Sequence, residues 1–182
     1  AGAAAAEPAT ITILHVNDLD RMSADDGRGG VAKVAAVANA AKAEYEEYHH
    51  RHGGYENAFT SFDETIYVSE IAPERHGRVL EFEADRMVNL VFDEENLENE
   101  KRVVSEELRV SMENDPFTRV MIETLQETLG DHPYAHTPGG TRKDVAAATL
   151  DHGREFYDAY YRPQNAHLVI VGPVDGPATL EG

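Results

Sequence analysis

The segment ENEKRVVSEELRV, residues 98–110, sets carboxylates among apolar residues. At about 100° per residue, Leu97, Val104 and Leu108 fall on one side of a helix, with Val103 and Val110 further round the same stripe. Glu100 and Glu107, seven residues apart, lie between the two groups, inside an apolar arc of roughly 160°. Glu98, Arg102, Ser105, Glu106 and Arg109 take the opposite, wet face. A carboxylate turned toward a core is costly unless a cation or a metal neutralises it. Two chemistries therefore fit: an internal ion pair, with Arg86 or Arg119 as the cation, or a metal ligand with an outer carboxylate one helical repeat away. Spacing does not choose between them.

Two other clusters carry ligand-type residues. His15, Asp18 and Asp20 gather at the end of a β-branched run, and HHRH supplies His49, His50 and His52. Histidines in a last helical turn favour the carbonyl-rich end, which makes a structural role the better reading there. His132, His136 and His167 read as loop or ordinary histidines. The chain has no cysteine, so any metal must be held by His, Asp or Glu. No glycine-rich stretch with phosphate-loop spacing and no nucleophilic serine motif is present.

The elements that would position these groups follow from periodicity and punctuation. Thr10–Asp18 is rich in β-branched residues and is expected to be a buried strand. Val31 to His50 recurs at helical spacing, and Gly53-Gly54 ends it. Asn57–Ile71 reads as one strand with Phe62, Ile66 and Val68 on one face. Pro73 opens a second helix with the stripe Leu80, Ala84, Met87 and Val91. Asp93 caps a third helix to about Glu113, and Asp115-Pro116 starts a fourth that Gly130 closes. Thr149 caps a further helix, which Pro163 forbids from continuing; Phe156, Tyr157 and Tyr160 form its core stripe. Ala166–Gly172 is expected to be a fully buried last strand. Helices come in adjacent pairs rather than in strict alternation with strands, which favours an α+β fold.

Thirty-four acidic residues against sixteen basic ones give a net charge of −18. Such a surface repels nucleic acid and anionic membrane, and no apolar run is long enough for a membrane span. The alanine-rich opening AGAAAAEPAT fits the remnant of a cleaved export signal, so an extracytoplasmic location, periplasmic or secreted, is expected.

The runs GGYENAFTSFDETIYV, FEADRMVNL, ENEKRVVSEELR, ENDP, HPYAHTPGGT and DHGREFYDAYYRPQNAHLVIVG occur in this order. Together they closely resemble the amino-terminal catalytic domain of the inverzincin peptidases, the zinc enzymes typified by pitrilysin, insulin-degrading enzyme and mitochondrial processing peptidase. The resemblance spans about Tyr45 to Gly182. It implies a mostly antiparallel sheet with helices packed on one face, incomplete here at its amino terminus, and a peptide or protein substrate. It also implies zinc, with Glu107 as a metal ligand and Glu100 as an outer carboxylate, and an edge strand at Asn57, Ala58, Phe59 and Thr60 that pairs with extended substrate. The implied partner is a homologous second lobe or an active peptidase subunit. The family's H-x-x-E-H helix supplies two histidine ligands and the general base. Its place falls near Asp20–Asp26, and the motif occurs nowhere in the chain. A weakly active or inactive peptidase domain is therefore expected, with a non-catalytic peptide-binding or partner subunit as the alternative.

ITILHVNDLD followed by GGVAKVAAVANAAKAE is similar to the amino terminus of the 5′-nucleotidase-type metallophosphoesterases. That likeness implies metal ligation at Asp18, with Asp20 where the family has histidine. The expected organisation is a flexible start at 1–9, a phosphoesterase-like segment at 10–44 and a metallopeptidase-like domain at 45–182. A metallophosphoesterase remnant is the further functional alternative.

Overall fold

A computed structural model of the chain describes residues 11–18, 42–135 and 137–181. In chain order they form β1 (Ile11–Asp18), α1 (Lys42–Arg51), β2 (Tyr55–Thr60), β3 (Glu64–Ile71), α2 (His76–Arg86), α3 (Glu94–Asn114), α4 (Pro116–Leu129), α5 (Arg142–Ala147), α6 (Leu150–Tyr160), β4 (Ala166–Val171) and α7 (Gly176–Glu181). The sheet order is β2-β3-β1-β4, antiparallel throughout. This is an α+β fold with helices packed against a small antiparallel sheet, as expected.

β1 is central, setting Ile13 opposite Ser69 of β3 and Ile170 of β4. One sheet face is covered: Ile13, Ile71, Tyr45 of α1, and Val79 and Phe82 of α2 form one buried cluster. Tyr67, Met87, Ala148, Phe156, Tyr157 and Tyr161 form a second. α1 stops at Gly53, whose φ of 67° only glycine adopts without strain. Gly54 then passes so close to β3 that a Cβ there would lie 2.6 Å from Ile71 Cδ1 and 2.7 Å from Glu70 O.

Several boundaries differ from the sequence reading. Asn57–Ile71 is a hairpin rather than one strand, broken at Ser61–Asp63. The face carrying Ile66 and Val68 is half-buried, and the fully buried face is Thr65, Tyr67, Ser69 and Ile71. α2 buries Val79, Phe82, Glu83 and Arg86, whereas Ala84 and Val91 of the expected stripe are exposed. β4 is an edge strand, not a fully buried one: Leu168, Val169 and Val171 are exposed because no described strand lies beyond it. α5 was not anticipated, although Thr141 and Asp144 form a reciprocal capping box at its start.

The layers meet through a buried polar network. Arg86 Nε donates to Glu83 Oε2 at 3.1 Å, and the guanidinium lies 4.0 Å over Tyr67 and 5.2 Å over Tyr45. Burial works against the Arg86 charge, yet Glu83 beside it holds that charge in place and raises the pKa above its ordinary value. The hydroxyls of Tyr67 and Tyr161 share a 2.6 Å hydrogen bond, and Tyr157 OH donates to Arg86 O at 2.7 Å. His49 is 1% exposed, so it belongs to the core rather than to a surface cluster. Its Nδ1 donates to Tyr45 O at 2.8 Å, and Nε2 is hydrogen-bonded to Ser69 Oγ at 2.5 Å.

Candidate metal and substrate site

α3 begins where Asp93 Oδ1 accepts from Asn96 N–H at 2.8 Å and Oδ2 from Asn96 Nδ2 at 2.7 Å. Its buried row is Leu97 and Val104, packed on Val145 of α5 with Leu108 and Leu150 alongside. The second apolar row faces outward: Val103 is 54% exposed and Val110 41%. The arc is thus covered on one side only, and this divides the two glutamates. Glu100 is half-buried, with Oε2 buried and outside any hydrogen bond, while Glu107 is exposed. Inward placement therefore holds in part for Glu100 and not for Glu107. Both residues interact with other groups. The two arginines considered as partners are engaged elsewhere, Arg86 with Glu83 and Arg119 with Glu123 at 2.8 Å.

The two carboxylates stand about 10 Å apart along the axis, seven residues at 1.5 Å each. Among the described residues, no three His, Asp or Glu side chains come together to hold a metal. A zinc centre needs three protein ligands. Glu107 and Glu100 are two carboxylates on one helix, and among the described residues no others join them to fit a complete centre. His49 has both ring nitrogens in the core network. His132 lies in a loop, where its Nδ1 accepts from Tyr134 N–H at 3.1 Å. His167 is exposed on β4, and His136 lies outside the described residues. Asp18 closes β1 opposite Glu64, and Asp20 lies outside the described residues.

The wet face of α3 borders an open cleft of about 430 Å³ against α5, lined by Glu98, Lys101, Arg102, Ser105, Glu106 and Arg142. Its charges are largely matched within α3: Lys101 Nζ donates to Glu98 at 2.8 Å and Arg109 to Glu106 at 2.6 Å. That hydrogen bond from Arg109 lowers the Glu106 pKa. Neither Glu100 nor Glu107 lines this cleft.

The expected substrate strand is at the other edge of the sheet. Asn57, Ala58 and Phe59 of β2 are exposed and Thr60 half-buried, with β3 as the strand's one described partner. The hairpin carrying β2 is held from the loop after α4. Tyr134 OH donates to the Asp63 carboxylate, 2.6 and 2.5 Å from its two oxygens, and the Tyr134 ring packs 5.0 Å from Phe62. Sequence reading missed this contact; the Tyr two residues after His132 was its only signal.

A one-sided antiparallel sheet, a long helix bearing carboxylates one heptad apart and an open edge strand make up one lobe of a metallopeptidase-type fold. The chain belongs to the insulinase family, peptidase family M16, whose model matches residues 36–137. It is 34% identical over 131 residues to the zinc protease PqqE of Helicobacter pylori, a match covering 72% of this chain and 30% of that protein. Among solved structures, a protease from Helicobacter pylori superposes with a TM-score of 0.84 at 27% identity, over 95% of this chain and 43% of the other. A peptidase M16 inactive domain from Pseudomonas fluorescens shares the fold at 20% identity, with a TM-score of 0.79 over 97% of this chain and 44% of the other. The chain therefore spans less than half the length of these relatives.

Proposed function

We propose that this chain is a peptide-binding lobe of a zinc-peptidase system and hydrolyses little or nothing by itself. The observation that carries this is β2, an edge strand whose Asn57, Ala58 and Phe59 are exposed and which no second described strand pairs. An extended peptide added there gains main-chain hydrogen bonds, while alternate side chains meet Tyr55, Asn57 and Phe59. By resemblance, Glu107 is the carboxylate ligand and Glu100 the outer carboxylate of the family's zinc. With no H-x-x-E-H in these 182 residues, two ligands and the base have to come from outside them, from a homologous second lobe or an active peptidase subunit. A purely non-catalytic role agrees with the Pseudomonas fluorescens neighbour, which is itself described as inactive.

We place the protein outside the cytoplasm, as its acidic, cysteine-free composition allows; no described helix is long and apolar enough to cross a membrane. We propose a junction of two sequence ancestries near residue 45 within a single fold, in which β1 pairs with β3 and β4 of the later residues. Metal at Asp18 and Asp20 is the competing proposal.

Metal analysis of the purified protein and of Glu107→Gln, with cleavage of a quenched fluorescent peptide, tests the reading. We expect zinc well below one per chain in both, and no cleavage. Stoichiometric zinc that disappears in Glu107→Gln, with cleavage, would overturn it. Metal kept in that variant but lost in Asp18→Asn would favour the phosphoesterase proposal.

A further inference from the structure

An edge strand offers a partner only those N–H and C=O groups that point away from the sheet. Ser61 N–H donates to Glu64 O at 2.8 Å, which makes these two a hydrogen-bonded pair. In the register Phe59↔Ile66, Ala58↔Tyr67 and Asn57↔Val68, antiparallel alternation turns the Phe59 and Asn57 backbones toward β3. Glu56, Ala58 and Thr60 then face the open edge. Ala58 carries the middle donor of that ladder, and its N–H donates to Asn57 Oδ1 at 2.8 Å. A backbone N–H can only donate, so the carboxamide oxygen must lie toward Ala58. Nδ2 then donates to Tyr55 OH, also at 2.8 Å.

We propose that Asn57 is a displaceable cap on the substrate edge. Its Oδ1 occupies the Ala58 N–H as a peptide carbonyl would, and Tyr55 holds the carboxamide in that position. An entering strand must exchange this hydrogen bond for its own, so β2 accepts a full strand but resists fortuitous pairing with other edges. Unprotected edges are a known route to aggregation, and the exposed ring of Phe59 beside this one adds to that hazard. The proposal rests on the reading that β2 receives extended peptide, and it adds the side chain that regulates entry.

The test uses the whole chain, a fluorescein-labelled peptide alternating valine and threonine, and amide hydrogen exchange. Removing one competing hydrogen bond of ordinary strength is worth about three- to tenfold in affinity, so Asn57→Ala should tighten the peptide by that factor. Tyr55→Phe keeps the carboxamide but releases its Nδ2, and should tighten binding by less. In the free protein, the Ala58 amide should exchange faster in Asn57→Ala than in wild type. Equal or weaker binding by Asn57→Ala, with the peptide still protecting the Glu56, Ala58 and Thr60 amides, would overturn the cap and leave the edge reading intact. Binding that leaves those amides unprotected, or no binding by either protein, would overturn both.

Discussion

Helices α2 and α3 both direct glutamates toward apolar neighbours and treat them differently. In α2, Glu83 is 5% exposed and sits three residues from Arg86, which is 7% exposed and lies between two tyrosine rings. Charge, hydrogen bonds and packing are completed inside the fold, so that carboxylate is a structural component. In α3, Glu100 keeps a buried oxygen outside any hydrogen bond and Glu107 stands at the surface. A carboxylate paired inside the core belongs to stability, whereas Glu107 stands where the fold leaves it exposed.

The sharpest way to break this contrast is to unpair α2. Arg86→Met leaves Glu83 buried without its cation, and such losses cost about 3–5 kcal/mol. Denaturant unfolding should show a decrease of that size, and the double variant Glu83→Leu with Arg86→Met should recover much of it. A single variant within about 0.5 kcal/mol of wild type would mean the pair does not anchor the fold.

The tyrosines around that pair give a second measurement. Burial raises the pKa of Tyr67, raises that of Tyr161 further, and also raises that of Tyr45. Groups whose folded pKa exceeds the unfolded value of about 10 contribute stability that is complete below pH 10. That stability is lost as pH rises through the folded values. Tyrosinate absorbance from these rings should therefore appear together with the loss of far-ultraviolet circular dichroism. Complete tyrosinate formation while the dichroism is still native would show that the rings are not sealed in the core.

What the sequence could reveal follows the range of each interaction. Asp93, Asp115 and Thr149 were readable as caps because donor and acceptor lie within three residues, and each accepts the expected backbone N–H. The break at Ser61–Asp63 was not readable, since Tyr134, which holds Asp63, is 71 residues away in sequence. AHLVIV looks the same whether a strand is covered on both faces or lies at an edge, so the position of β4 could not be read from composition. The buried stripe of α2 was misplaced because charged residues were assigned to solvent. The i, i+3 spacing of Glu83 and Arg86 was the available signal. On α3, the wheel grouped Glu100 and Glu107 correctly on one stripe, but only packing against α5 decides which part of that stripe is covered.

The smallest expected effect on stability is at Glu107, and its smallness is informative. The residue is exposed, and Val103 and Val110, on the same outward side of α3, are exposed as well. Exchanging a surface carboxylate for its isosteric amide usually moves stability by no more than about 0.5 kcal/mol. Glu107→Gln should therefore unfold at nearly the same denaturant concentration as wild type. If it instead lost several kcal/mol, Glu107 would be a second Glu83, a buried partner in the fold, and the contrast between the two helices would collapse. If the variant is neutral alone but binds zinc more weakly once a lobe supplying the histidines is added, the carboxylate serves a centre shared between chains. Equal zinc affinity in that assembly would remove Glu107 from the ligand set while leaving the fold untouched. Stability and metal affinity thus answer separate questions at this position, whereas at Arg86 the fold alone is at stake.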